Sequence, residues 1–310
     1  MNLSERTRKK YQGLPADTPI PFVLEDNVRW DFWEWMAGKA GISKECRKLN
    51  IDGRKMLCGP PLDYGNGWDV ALPHHQSTIR RLVQQRKPRC ILVEPTCGMW
   101  SQSNTMTSIE DLEMLREKER VLGLFLLEIC EMQSSRNDDY IEENPKSSQR
   151  MKQPFSLKIL TMTNAVEDQH TCLCRFGMVD AFNGKPNMKP TTNRGTVLLP
   201  KATKWCNCPV GEDGTKHQQL QGHLPDGRLR TEVAQEYPKQ YCKCMALDIR
   251  NQIALRLGNK STEGQRQSLV TKTVRVVLPV EGRATAEPAE VTDSSSSSDE
   301  SSAPAAATTP

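Results

Sequence analysis

Short apolar runs alternate with stretches of helical spacing through the first half of the chain. Residues 89–94, RCILVE, form a continuous apolar run of the length of a buried strand. Before it, Ile79, Leu82 and Val83 share one face of a helix that Ser77 can cap and Pro88 stops. After it, Leu112, Leu115, Leu122, Leu126 and Ile129 recur at helical spacing behind a Ser108/Asp111 capping pair, predicting an amphipathic helix over roughly 109–132. Residues 139–142 read as another short strand, and Phe155, Ile159 and Met162 mark a further helix face. This alternation predicts an α/β fold with a doubly wound, mostly parallel sheet. The last third is less regular. It carries a short strand near 196–199, Cys and His in loops, and a helix from about Arg230 to Leu257, broken at Pro238.

Composition narrows the class. The longest apolar stretch, 121–130, is interrupted by Glu128 and falls short of the roughly 20 residues of a membrane span. The basic start, MNLSERTRKK, is followed by no apolar core, so no secretory signal is expected. An intracellular protein is expected, nuclear or cytoplasmic. The net charge of +4 conceals an asymmetry: residues 281–310 hold six acids and one base, leaving +9 on residues 1–280. That segment is rich in Ser, Ala, Thr and Pro and is expected to be disordered. The predicted organisation is an arm (1–29), an α/β core (30–165), a Cys/His-bearing extension completing the domain (166–260), and a linker with an acidic tail (261–310). Eleven cysteines in such a chain point to thiols, metal ligands or a nucleophile rather than a disulfide framework.

Three islands carry candidate chemistry. In the first, Phe32-Trp-Glu-Trp runs into Met36-Ala-Gly-Lys-Ala-Gly41 and a helix starting near Ser43, a turn that lets a ligand approach the backbone. The aromatic cluster Trp30, Phe32, Trp33 and Trp35 reads as core and rim packing before it reads as a base-stacking platform. In the second, Asp63 follows a candidate second strand, where an acid binds ribose hydroxyls in doubly wound sheets, and Asp69 faces an adenine or serves a turn. In the third, Glu94-Pro-Thr-Cys97-Gly-Met-Trp-Ser101 presents Cys97 as a nucleophile or a small buried residue. Some forty residues on, Tyr140-Ile-Glu-Glu-Asn-Pro145 places Glu142 or Glu143 to donate a proton, with Asn144 and Pro145 fixing the loop.

The order of these motifs resembles the catalytic core of DNA cytosine-5 methyltransferases over about residues 31–164. The resemblance implies a Rossmann-like methyltransferase fold that binds S-adenosylmethionine. Met36, Ala37, Gly38, Ser43 and Pro95 would line the cofactor site, Asp63 would hold the ribose and Asp69 the adenine. It further implies that Cys97 attacks carbon 6 of a flipped cytosine, that Glu143 assists at ring nitrogen 3, and that Asn144 accompanies it. The longer set, adding Cys174-Arg-Phe-Gly177, Lys189-Pro-Thr191, His217-Gln-Gln-Leu-Gln-Gly222 and Arg230 to Pro238, resembles a methyltransferase-like segment of copia-type retrotransposon polyproteins. Its implied partner is nucleic acid, in the first instance DNA.

Two further features bear on partners. Cys206, Cys208, His217 and His223 lie within 18 residues and offer a tetrahedral zinc set; Cys172-x-Cys174 and Cys242-x-Cys244 repeat the pair. Cys-x-Cys spacing suits a strand with both thiols on one face. Arg80, Arg81, Arg86, Lys87 and Arg89 form either a phosphate-contacting surface or a solvated helix face. His74-His75 reads as a lead-in to the helix, and Cys46, Cys58, Cys90 and Cys130 as packing residues. The alternative function is a catalytically inactive nucleic-acid- or partner-binding module, with or without zinc.

Overall fold

Three apolar runs become the parallel strands β1 (Phe32–Trp35), β4 (Cys90–Val93) and β5 (Asp139–Pro145) of a computed structural model. It describes residues 13–21, 28–101, 104, 107–209, 217, 218, 220, 222–228 and 230–258. β1 pairs with β4 and β4 with β5, both in parallel. Every residue of β1 and β4 is buried, as expected of strands covered on both faces.

Side chains alternate across the strands, and the alternation sorts the core. Phe32, Cys90, Leu92 and Ile141 face α1 (Gly41–Cys46) and α6 (Lys239–Leu257), contributing Ile42, Cys46, Tyr241, Met245 and Ile249. Trp33, Trp35, Ile91 and Val93 pack with Ile79, Leu82 and Val83 of α2 (Pro73–Arg86) and with Leu122, Phe125, Leu126 and Ile129 of α3 (Ile109–Ser135). Trp30, Trp33 and Trp35 stack edge to face within this core. They are packing residues.

The sheet is completed from the extension. β7 (Pro190–Gly195) pairs antiparallel with β5 and also with β6 (Val166–Cys172), giving the order β1-β4-β5-β7-β6. Four of the five strands therefore share one direction. On the far side of β1, Cys58 and Leu62 form parallel bridges with Phe32 and Trp35. That stretch follows the hairpin of β2 (Asn50–Ile51) and β3 (Arg54–Lys55) and occupies a second-strand position without being a regular strand.

Several expectations are corrected. α2 begins at Pro73, whose fixed φ suits a first turn, and Ser77 sits inside the helix donating to the Pro73 carbonyl. The strand expected at 196–199 is displaced to Pro190–Gly195; Val197 and Leu199 are buried but lie beyond it. The helix expected around Phe155 is α4 (Pro154–Leu157) followed by a 3-10 turn, Lys158–Thr161. α3 runs as expected, with the Ser108 hydroxyl accepting the Asp111 N–H at 3.1 Å. The helix broken at Pro238 is α5 (Arg230–Val233) and α6. Residues 259–310, including the expected tail, and much of the arm lie outside the described residues. Among the described residues, no helix is long and apolar enough to cross a membrane.

Buried carboxyls make stability depend on pH. Asp248 of α6 accepts the N–H groups of Lys201 and Ala202 at 2.8 and 3.0 Å, and burial lifts its carboxyl to about 6. Burial lifts Glu119 of α3 to about 7, against the pull of Arg150. Both stand above unfolded values near 4, so the native state holds more protons than the unfolded chain and loses stability as pH rises from about 4 to 7. His170, pushed down by burial, opposes this on its own. Thermal scans are expected to give an unfolding temperature lower by roughly 5 °C at pH 8 than at pH 5.5; a higher value at pH 8 would contradict this balance.

Candidate functional site

The carboxyl ends of β1, β4 and β5 share one edge of the sheet. After β1 the chain turns through Met36, Gly38 and Ala40, all at positive φ (56, 48 and 50°). Two of these are not glycine, so the turn is held by its surroundings. The Met36 N–H donates to the Leu62 carbonyl at 2.6 Å and the Gly38 N–H to Asp63 Oδ2 at 3.0 Å. A Cβ at Gly38 would meet nothing within 4 Å, so the turn is open on its outer side. At Gly41 it would meet Cys242 Sγ at 2.7 Å, so α1 sits on α6 only with glycine there. Asp63 Oδ1 accepts from the Gly65 N–H at 2.9 Å. Each carboxylate oxygen retains a second lone pair.

Glu34, absent from the sequence-based set, organises this turn. It is wholly buried and its carboxylate accepts the N–H groups of Ser43 and Ile42, at 2.6 and 3.4 Å. Burial pushes its carboxyl up, while those bonds pull it back. The amides at the start of α1 are thus satisfied from within, and Ser43 supports the turn from a buried position instead of facing a ligand. Ala37 is likewise buried, whereas Met36 and Asp63 are half-buried and Gly38 is exposed. Asp69 does not join them. Its oxygens accept the N–H groups of Leu14 and Ala71 at 3.1 and 2.8 Å, and its own N–H donates to His75 Nδ1 at 3.0 Å. It closes a turn and anchors the arm, as do His74 and His75, whose Nε2 atoms lie 2.7 and 3.0 Å from the Thr18 carbonyl oxygen.

At the ends of β4 and β5 the candidate nucleophile and acid come together. Asn144 Nδ2 donates to the Pro95 carbonyl at 2.9 Å, tying the end of β5 to the loop that carries Cys97. Cys97 is half-buried at the start of a 3-10 turn, Gly98–Trp100. Burial pushes its thiol up and Glu143 adds to this, while the Lys189 charge lowers it. Glu143 is buried, with its Oε1 atom lacking a partner. Burial raises its carboxyl against the pull of Lys189 and of the Tyr237 and Thr191 hydroxyls. The neighbouring Glu142 points the other way, to Arg150 Nε at 3.1 Å, and so is not part of the edge. Glu94 is pushed well up by burial and then by Glu34 and Glu143, with Lys189 opposing. The edge is therefore acidic, with Lys189 as its counter-charge. Lys189 donates to the Ala234 carbonyl at 3.2 Å and lies 5.4 Å from the Tyr237 ring centre. Its motif was visible in the sequence; its convergence with Tyr237, 48 residues on, was not.

Away from this edge, Cys174, Cys206, Cys208 and His217 bring one donor atom each within 4.8 Å of one another, a group that can hold a metal ion. His223 is exposed and outside the group; Cys174 replaces it. The Cys206–Cys208 stretch is irregular instead of a strand. Of the basic set, Arg86 is fully buried, Arg80 pairs with Glu128 at 2.7 Å and Arg89 approaches Asp31 at 3.4 Å, leaving Arg81 and Lys87 exposed. That is not a continuous basic face. No protein-family model and no curated protein matches the chain, so the chemistry of this edge is read from its own geometry.

Proposed function

We propose that the chain is a divergent DNA cytosine-5 methyltransferase-like domain, of the kind carried by copia-type mobile elements, acting with S-adenosylmethionine. The observation that carries this reading is that Cys97 and Glu143 follow the adjoining strands β4 and β5 near enough for the charge of Glu143 to act on the thiol, with Asn144 hydrogen-bonded to the Pro95 carbonyl between the two loops. The path of the chain supports a Rossmann-like assignment. It passes from the stretch at 57–62 on one side of β1 to β4 on the other, so the crevice above β1 is a topological switch point, where ligands bind in doubly wound sheets.

The residues present fit the cofactor. The carboxyl groups of Glu34, Asp63, Glu94 and Glu143 supply acceptor oxygens along the edge, the turn at Gly38 is open, and Asp63 keeps lone pairs for ribose hydroxyls. When bound, S-adenosylmethionine supplies an electrophilic methyl group. Lys189 favours the Cys97 thiolate, which adds to carbon 6 of an extruded cytosine. Glu143, whose protonated form burial favours, gives a proton to ring nitrogen 3 as the 5,6 electron pair moves to carbon 5. This carbon 5 pair captures the methyl group that the bound cofactor supplies, the cofactor's sulfur leaving as a neutral thioether; water then takes the carbon 5 proton, the 5,6 double bond re-forms as Sγ departs as thiolate, and ring nitrogen 3 returns its proton to Glu143.

Titration calorimetry of S-adenosylmethionine into the full chain tests the cofactor half of the reading. Binding is expected, and Asp63→Ala is expected to weaken it about 10- to 100-fold, the loss of charged hydrogen bonds. Absence of binding to the unaltered chain would end the proposal.

A further inference from the structure

We propose that Cys174, Cys206, Cys208 and His217 form a structural zinc site that fastens the loop 203–208 and the segment at His217 to the end of β6. The four donor atoms all lie within 4.8 Å of one another, and Cys206 Sγ is 3.2 Å from His217 Nε2. Tetrahedral zinc, with Zn–S near 2.3 Å and Zn–N near 2.0 Å, requires donor separations of roughly 3.5–3.8 Å. The set reaches that geometry by shifts of about an ångström or less, the widest pairs closing and the Cys206–His217 pair opening slightly. Three thiolates and one imidazole fill a tetrahedral shell, which is the composition of a closed structural site. The sulfurs are not joined to one another, since all of these cysteines are free.

The ligands come from three separate stretches of the chain. Cys174 lies in the 3-10 turn Leu173–Phe176 directly after β6. Cys206 and Cys208 lie in an irregular stretch beside the exposed Trp205 and Asn207. That stretch is joined to β6 through Lys204, whose carbonyl accepts the Cys172 N–H at 2.9 Å and whose N–H donates to Thr171 Oγ1 at 3.2 Å. His217 adjoins Gln218, whose N–H donates to the Pro186 carbonyl at 2.9 Å. A metal supplies here the cross-links that a small apolar core elsewhere would supply. The site also borders the proposed active edge: the Leu173 N–H donates to the carbonyl of Lys189 at 3.2 Å. Its function is to hold that side of the sheet in place, and it stands whether or not the chain transfers methyl groups.

The test uses the full chain purified without chelators. Elemental analysis is expected to find one zinc per chain, and chelation to lower the unfolding temperature by roughly 10 °C. Cobalt substitution is expected to give the intense visible bands of a tetrahedral site and a charge-transfer intensity that counts three thiolates. Cys206→Ser and Cys174→Ser should lose the metal, His217→Cys should keep it, and His223→Ala should leave it unchanged. Zinc far below one per chain, a disulfide among the three cysteines in the protein as isolated, or full retention of zinc in Cys174→Ser would each overturn the site. The unaltered protein alone decides the first two outcomes, so a variant that fails to fold does not rescue the idea.

Discussion

Replacing Cys97 with serine is expected to reduce methyl transfer to cytosine-containing DNA by on the order of 10³-fold or more, with S-adenosylmethionine binding unchanged. The size follows from the chemistry: carbon 5 of cytosine is a poor nucleophile until carbon 6 has been attacked, and a serine hydroxyl, far less acidic than a thiol, forms little of the anion that attacks it. Glu143→Gln is expected to cost about 10²–10⁴-fold, the range for a positioned acid. Asn144→Ala should cost less than Cys97→Ser, because Asn144 works by holding the Cys97 loop through the Pro95 carbonyl. A DNA duplex carrying 5-fluorocytosine separates attack from turnover. The fluorine cannot leave carbon 5 as a proton does, so the unaltered chain should remain joined to it and Cys97→Ser should not. An unaltered chain that binds cofactor yet forms no adduct and transfers no methyl group would leave the alternative, a binding module that has kept the fold.

What the sequence disclosed, and what it concealed, follows from how each element earns its place. β4 and α3 were legible because their burial is apolar and periodic: Cys90 to Val93 are all buried, and α3 buries Leu112, Leu115, Leu122, Leu126 and Ile129. β7 was not, because Pro190-Thr-Thr-Asn-Arg-Gly195 is polar and yet almost wholly buried. Its side chains find partners within the fold, Arg194 on Asp168 at 2.7 and 2.8 Å and Asn193 on the Tyr241 hydroxyl at 3.2 Å. The apolar Val197 and Leu199 drew the predicted strand a few residues too far, since hydrophobicity reports burial and not pairing. The hairpin β2–β3 is built from two-residue strands with exposed polar members, which carry no pattern. In the candidate site, Cys97, Glu143 and Asp63 follow from position at strand ends. Glu34 does not, because its value depends on reaching the amides of Ser43 and Ile42 across a turn. The choice between Glu142 and Glu143 needed only the strand's two-residue period and a knowledge of which face holds Arg150. The same limit applied to the metal set: local spacing favoured His223, while the fold supplies Cys174 from before β7.

Replacing Arg150 with methionine is expected to destabilise the chain by about 3–5 kcal/mol, the cost of removing one partner from a buried ion pair. Arg150 is fully buried between two carboxylates, with Nη1 2.6 Å from Glu119 and Nε 3.1 Å from Glu142. Glu142 also accepts from the Ser156 hydroxyl, and Ser156 accepts from Arg194 Nη1 at 2.9 Å, so the network runs from α3 through β5 to β7. Methionine fills comparable space against Phe155, over whose ring the guanidinium now lies at 4.9 Å. The loss is then electrostatic and not a cavity. Burial already raises Glu119 to about 7 against the pull of Arg150, and without that cation it binds a proton more readily, so the deficit should shrink as pH falls from 8 to 5.5, the sign expected of an acid raised in the native state. Adding Glu119→Gln and Glu142→Gln to Arg150→Met should restore much of the stability, because neutral amides carry no charge to compensate. Chemical denaturation of the three proteins at both pH values measures this. A deficit in Arg150→Met that is independent of pH, and is not repaired by the paired glutamines, would mean that Arg150 serves packing and that the charges of Glu119 and Glu142 are held by something else. The neighbouring position makes the point for function: β5 uses Glu142 to tie the sheet to its helices and Glu143, one residue on and facing the opposite way, for the proposed chemistry, so the first fixes the register in which the second meets Cys97.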